Sequence, residues 1–437
     1  MVLVRPLLCL LLLAAAVEAQ APASSVAGEG SSTAQQPAQQ PATANSGERI
    51  TDEDKRPGAG KAIARIPLYP LIGMGKALEK GFLAVEEHNL ILRQDFAMRW
   101  LAERHMQPLF GGMGTGTGFA LGINFFDNDA LGQKRLRWEV PLRISTANYQ
   151  QFETRVQYAL LNRYRMFIEG SARYRNRPEE DFFGLGSFST VANRSNYKLQ
   201  DRMIGAGIGS EFGKGRRISA DVRFVNTNVG RGADNKYPDV ETTFPGLPGL
   251  GRGSALLKYG VSTVLPWLDA DLDPQRGVRL RGRAYRVNSR NSDNFNFNEF
   301  AGSGEFYIPL GGPRTLAIHA AGDFRDGRDG GLVPFYAMPF LGGSRTLRGF
   351  REFRFYDTHA VLFNVEYRWR LWKLTDMVAF LDHGQVAPRL SAITLDGYRR
   401  SYGAGFRFRG AHGMALRFDI GHSKEGTRYY FSFGPEW

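Results

Sequence analysis

From residue 111 onward, apolar and polar side chains alternate with a period of two, as in strands whose two faces meet different surroundings. In 277–286, Val278, Leu280, Gly282 and Ala284 share one face, while Arg279, Arg281, Arg283 and Tyr285 share the other. In 165–174, Met166, Ile168, Ala172 and Tyr174 oppose Arg165, Glu169, Ser171 and Arg173. Near the end, Ala404, Phe406 and Phe408 oppose Arg407 and Arg409, and Leu416, Phe418 and Ile420 oppose Arg417 and Asp419. Fifteen such segments can be marked, the first at 113–124 and the last at 427–436. One wide gap between them reads as a long inserted loop at about 327–359.

Alternation alone also fits a soluble sandwich. Arginines stacked on the polar faces, and strands running almost to the last residue, favour an all-β, transmembrane antiparallel β-barrel. In lipid only a closed barrel of strands satisfies every backbone group. Aromatics recur near the strand ends, where an interfacial girdle would place them: Trp138, Tyr158, Tyr174, Tyr259, Trp267, Tyr285, Tyr307, Trp369, Trp372, Tyr402 and Tyr429. Bacterial single-chain barrels have even strand numbers. Sixteen is therefore expected, the missing strand lying in 89–105 or in the Gly/Pro-rich connection 230–252. Upstream, Ala77, Leu78, Phe82 and Val85 space as a short amphipathic helix, so 61–110 reads as a short helical pre-barrel segment and 111–437 as the barrel.

Residues 1–19 combine Arg5, an apolar run from Leu7 to Val17 and small residues at Val17 and Ala19, which describes a cleaved signal peptide. The run is too short for a membrane-spanning helix. Residues 20 to about 47 are rich in Ala, Gln, Pro, Ser and Thr, and 20–60 reads as a disordered linker. The only cysteine, Cys9, lies in the signal segment, which excludes disulfides and thiol chemistry from the mature chain. Net charge is +13, and five acids against three bases in 20–60 leave +15 for the remainder. For an exported chain, that charge points to outer-membrane lipids and lipopolysaccharide phosphates as partners rather than nucleic acid.

Two segments stand out chemically. Gly342-Gly343-Ser344-Arg345-Thr346-Leu347-Arg348-Gly349-Phe350 is a polar, glycine-hinged stretch within the long loop. Phe380-Leu381-Asp382-His383-Gly384 places one carboxylate on an apolar strand closed by glycine. A loop arginine and a strand carboxylate can form a charge-assisted, bidentate pair, and inside a lumen that pair would pin the loop to the wall. With Asn364-Val365-Glu366-Tyr367-Arg368 and Tyr402-Gly403-Ala404-Gly405-Phe406-Arg407, these motifs resemble the BamA/TamA superfamily of outer-membrane β-barrels, the bacterial surface antigen family. The likeness is most specific over 334–437. It implies that Leu347-Arg348-Gly349-Phe350 is the tip of the sixth loop. Arg348 would then enter the lumen to meet Asp382, with Glu366 as second partner and Gly384 closing the strand motif. Family members that insert or secrete proteins carry POTRA modules. Residues 20–110 fit none, which points to the subgroup lacking them. Phe431, Phe433 and Trp437 alternate as a signal for the barrel assembly machinery would, interrupted by Pro435.

Enzymatic chemistry finds little support. The seven histidines show no metal-ligand spacing, no nucleophile arrangement is recognisable, and no metal or cofactor is expected. Two classes remain. One is a factor that assists insertion or translocation of protein or lipid through a weakly closed seam between the first and last strands. The other is an anion-favouring pore whose lumen is lined by Arg279, Arg281, Arg283, Arg407, Arg409 and Arg417.

Overall fold

The computed structural model describes residues 100–433, apart from 102, 112, 114–116, 131–134, 162–164, 252, 272, 292–293, 373–374 and 411–412. The signal segment, the linker and the helix expected around Ala77–Val85 lie outside these residues, as do the last four positions.

Strands dominate, as the alternation requires. In chain order they are β1 (Met106–Gly111), β2 (Ala120–Asp127), β3 (Leu136–Ser145), β4 (Gln150–Leu161), β5 (Met166–Phe182) and β6 (Ser195–Phe212). There follow β7 (Arg216–Arg231), β8 (Ser254–Leu268), β9 (Gly277–Ser289), β10 (Phe297–Pro309) and β11 (Arg314–Gly327). Within the long loop, β12 (Phe340–Leu341) and β13 (Phe355–Tyr356) pair only with each other. The set ends with β14 (His359–Arg370), β15 (Thr375–Ala387), β16 (Arg399–Gly410), β17 (Gly413–Ser423) and β18 (Gly426–Phe433). All but β12 and β13 form one 16-stranded sheet in which every strand pairs with its neighbour in sequence. The described pairings are antiparallel throughout.

The missing strand is β1, outside both intervals where the sequence suggested it. Six residues containing Pro108 carry too little alternation to be recognised, and proline is tolerated there because β1 is an edge strand. The barrel therefore begins at Met106 rather than 111, and the end of the supposed helical segment is strand. The first marked segment also shifts, from 113–124 to 120–127. Among its described residues, the connection at 230–252 holds no strand beyond the end of β7, only a one-turn helix at Val240–Thr243.

The sheet curls until β1 and β18 approach each other, yet no ladder joins them among the described residues. Its outer face carries exposed Ile204, Val222, Val261, Leu280, Phe300 and Phe363, the surface a membrane would cover. The inner face holds charges in mutual pairs, such as Asp201 with Arg173 (3.1 Å) and Arg175 (2.8 Å), and Arg217 with Glu169 (2.7 Å). Two of the expected girdle aromatics belong to this inner face. Tyr285 and Tyr307 are buried and donate their hydroxyls to Asp221 (2.6 Å) and Glu305 (3.0 Å).

Connections alternate between short turns at one mouth, such as 213–215 and 310–313, and long loops at the other, such as 183–194, 232–253 and 328–358. At the long-loop mouth, Phe335 from the inserted loop packs edge-on against Tyr197 (4.9 Å between ring centroids) and Phe182 (5.5 Å). Val240, Leu256, Phe297 and Tyr356 complete a buried apolar dome over this end. At the opposite mouth, the turn 269–276 folds inward. Its Asp273 pairs with Arg409 of β16, and its Gln275 accepts from Thr315 Oγ1 of β11 at 2.6 Å.

Candidate functional site

Beneath the dome the long loop descends to the inner face of β14–β18. Leu347 and Phe350 flank the tip and are fully buried, packing with Leu341, Phe355, Leu362 and Val386. This apolar anchoring sets the depth at which Arg348 meets the wall. Gly384 leaves the room they need, since a Cβ there would stand 2.8 Å from Leu341 and 3.4 Å from Leu347.

Arg348 itself is 3% exposed. Its backbone N–H and Nε donate to Asp382 Oδ2 at 3.0 and 3.1 Å, and Nη2 donates to Oδ1 at 2.5 Å. Nη1 donates to Glu366. The guanidinium carbon lies over Phe380, 3.5 Å from the ring centroid. A buried carboxylate demands several donors, and Asp382 has them. Asn364 Nδ2 reaches Oδ1 at 2.8 Å, and Ser401 Oγ reaches Oδ2 at 3.0 Å. Ladder register explains the convergence, because Asn364, Asp382 and Ser401 are direct cross-strand partners on β14, β15 and β16.

Glu366 is the hub of the rest. Besides Arg348 it accepts from Arg368 Nε (3.2 Å) and Arg407 Nη2 (3.2 Å), and Arg407 also donates to Asp419 Oδ1 at 2.8 Å. Arg417 donates to the Ser344 carbonyl at 3.3 Å. Four guanidinium groups thus share three carboxylates in a site almost wholly withdrawn from solvent. Backbone contacts finish the docking. Ser423 Oγ donates to the Gly349 carbonyl at 2.7 Å, and Tyr430 Oη donates to the Phe350 carbonyl at 2.5 Å. The tip therefore bridges five successive strands, β14 to β18, at one edge of the sheet.

The sequence-derived residues divide accordingly. Leu347, Arg348, Gly349, Phe350, Glu366, Asp382 and Gly384 come together, and Arg407 and Arg417 join them rather than lining an open path. Arg279 and Arg281 pair with Glu305, and Arg283 with Glu299 and Asp323, on another part of the wall. Arg409 pairs with Asp376 and Asp273 near the short-turn mouth. Asn364, Arg368, Ser401, Asp419 and Tyr430 were missed as site residues. Their signal was parity: Asn364 and Arg368 share the face of Glu366, and Asp419 that of Arg417.

What this arrangement can do is mechanical: it holds the loop against the inner wall of β14–β18 through buried ion pairs and hydrogen bonds. The Omp85 superfamily domain model matches residues 112–437. Among solved structures, BamA from Haemophilus ducreyi lacking POTRA domains 1–3 superposes with a TM-score of 0.59 at 15% identity, covering 76% of this chain and 70% of that one. CdiB from Escherichia coli superposes with a TM-score of 0.50 at 15% identity, covering 76% of this chain and 62% of that one. At such identities these likenesses speak to the fold. No curated protein matches the sequence. The family match covers every barrel strand from β2 onward, the loop and its docking wall included: the chain is an outer-membrane β-barrel of the Omp85 superfamily.

Proposed function

We propose that this barrel assists insertion or translocation of protein or lipid at the outer membrane, using the seam between β1 and β18 as the working edge. The observation that carries this reading is the unpaired seam itself. Two short edge strands face each other without a ladder among the described residues. Unpaired strand edges present N–H and C=O groups that an incoming strand can complete. The docked tip supports the same reading, because it fastens β14–β18 into one unit ending at the seam. That unit stays rigid while the edge opens.

Permeation is the weaker reading. The arginines that would have favoured anions each take part in ion pairs, with Glu299, Glu305, Glu366, Asp376 and Asp419 among their partners. The dome caps one mouth, and Asp273 draws a turn under the other. In planar bilayers the purified protein is expected to give only small, infrequent openings. A large, steady, anion-selective conductance lost on Arg281→Glu would instead establish the pore.

A disulfide engineered between β1 and β18 tests the seam. Cys9 is the only native cysteine, so a cysteine pair placed across the seam has no competing thiol in residues 10–437. Cells depending on the oxidised form should lose the outer-membrane components that the wild type restores to a deletion strain, and reduction should bring them back. Full complementation by a verified, oxidised seam disulfide would refute the proposal.

A further inference from the structure

Three residues before Arg348, Arg345 faces a different part of the lumen. There the loop and the inner wall of β8–β11 and β14 line an open cavity of about 640 Å³, a volume typical of small-ligand sites. One side of its lining is apolar and comes from the loop: Met338, Phe340 and Leu341. The other is charged, with Arg281, Arg283, Arg325 and one carboxylate, Asp323, on the strands and Arg345 on the loop.

The charges on this wall do not balance. Glu299, Glu305 and Asp323 are paired with Lys258, Arg279, Arg281, Arg283 and Arg325, five cations on three carboxylates. Arg345 adds a sixth cation, is exposed to the cavity, and has no carboxylate partner among the described residues. Its backbone is nonetheless fixed. Ser344 accepts from Arg417 at 3.3 Å, and the Thr346 carbonyl accepts from Asn364 Nδ2 at 2.8 Å. Thr346 Oγ1 also closes a short turn with Gly342, with both bonds at 2.8 Å. A guanidinium on a braced backbone, aimed into a cavity with surplus positive charge, is arranged to receive an anion. Guanidinium forks match phosphate and carboxylate oxygens. The apolar side of the cavity then selects among anions.

We infer that this cavity is a binding site for a small anionic amphiphile, its phosphate or carboxylate head on Arg345 and the wall arginines and its apolar portion on Met338, Phe340 and Leu341. The site adjoins the docked tip, sharing Leu341 with its apolar anchor, and does not depend on what the seam transports.

Calorimetric titration of the folded barrel in a neutral sugar-headgroup detergent tests it, with hexyl phosphate as probe and inorganic phosphate and hexanol as its two halves. Hexyl phosphate should bind at one site per chain, and each half should bind at least several-fold more weakly. Arg345→Glu should weaken hexyl phosphate by roughly tenfold or more, as expected for losing a charge-assisted hydrogen bond, whereas Arg345→Lys should stay within a few-fold of wild type. Folding of each variant is checked by migration without boiling. Failure of hexyl phosphate to bind overturns the inference, as does equal binding by wild type and a folded Arg345→Glu barrel. Inorganic phosphate binding as tightly as hexyl phosphate would show a bare anion site and refute the amphiphile.

Discussion

Glu366→Ala is expected to remove most of the barrel that migrates as folded without boiling, and to do so more severely than Arg348→Ala. Glu366 accepts from Arg348, Arg368 and Arg407. Its loss leaves four buried guanidinium groups with only Asp382 and Asp419 between them. Breaking a buried pair by removing one partner costs about 3–5 kcal/mol, because the surviving charge stays desolvated. Here several survivors are affected at once. Arg348→Ala removes the docking charge but leaves three arginines facing three carboxylates, with Asp382 still held by Asn364 and Ser401. The wall then remains satisfied while the loop loses its main polar attachment. Asp382→Ala should fall between the two, since Arg348 would keep Glu366 but lose its bidentate partner. Folded yield and the urea midpoint in detergent give the order directly. Wild-type yields from Glu366→Ala and Arg348→Ala alike would mean that the charged tip does not hold the barrel together.

Much of this was legible in the sequence, for physical reasons that also explain the rest. Period-two alternation is a direct consequence of a sheet with lipid on one face and charges on the other, so strands such as β9 and β17 could be marked closely from residues alone. β1 could not, because six residues with a central proline do not establish a period. The partnership of Arg348 with Asp382 could be anticipated from motif order, since a buried guanidinium must find carboxylates. Its supporting partners could not, because Asn364, Asp382 and Ser401 are brought level by ladder register, which depends on turn lengths and strand shear rather than on local composition. Tyr285 shows the reverse failure. It lay on the arginine face by parity, yet its aromatic character suggested a girdle, and parity proved the better guide. The surplus of positive charge was visible only as a total. That five cations share Glu299, Glu305 and Asp323 while Arg345 beside them has no carboxylate partner among the described residues emerged from three-dimensional pairing.

Gly421→Val is expected to undock the tip while leaving every charge in place. A Cβ at Gly421 would lie 2.2 Å from the Arg348 carbonyl oxygen, and one at Gly349 would lie 2.7 Å from the His422 carbonyl. The two backbones are in direct contact, and neither neighbour is a flexible side-chain end that could swing aside. Overpacking of a fixed contact costs about 1–3 kcal/mol. Here the clash also forces Arg348 away from Asp382 and Glu366, whose distances leave no slack. Steric and electrostatic lesions thus act on one docking event. If so, Gly421→Val combined with Arg348→Ala should cost clearly less than the two single costs added together, because a loop already undocked cannot be undocked again. Independent sites add to within about 0.3–0.5 kcal/mol, so the distinction is measurable by urea unfolding of the four proteins in the cycle. Full additivity would separate the glycine contact from the charged tip and dissolve the picture of a single lock spanning β14 to β18.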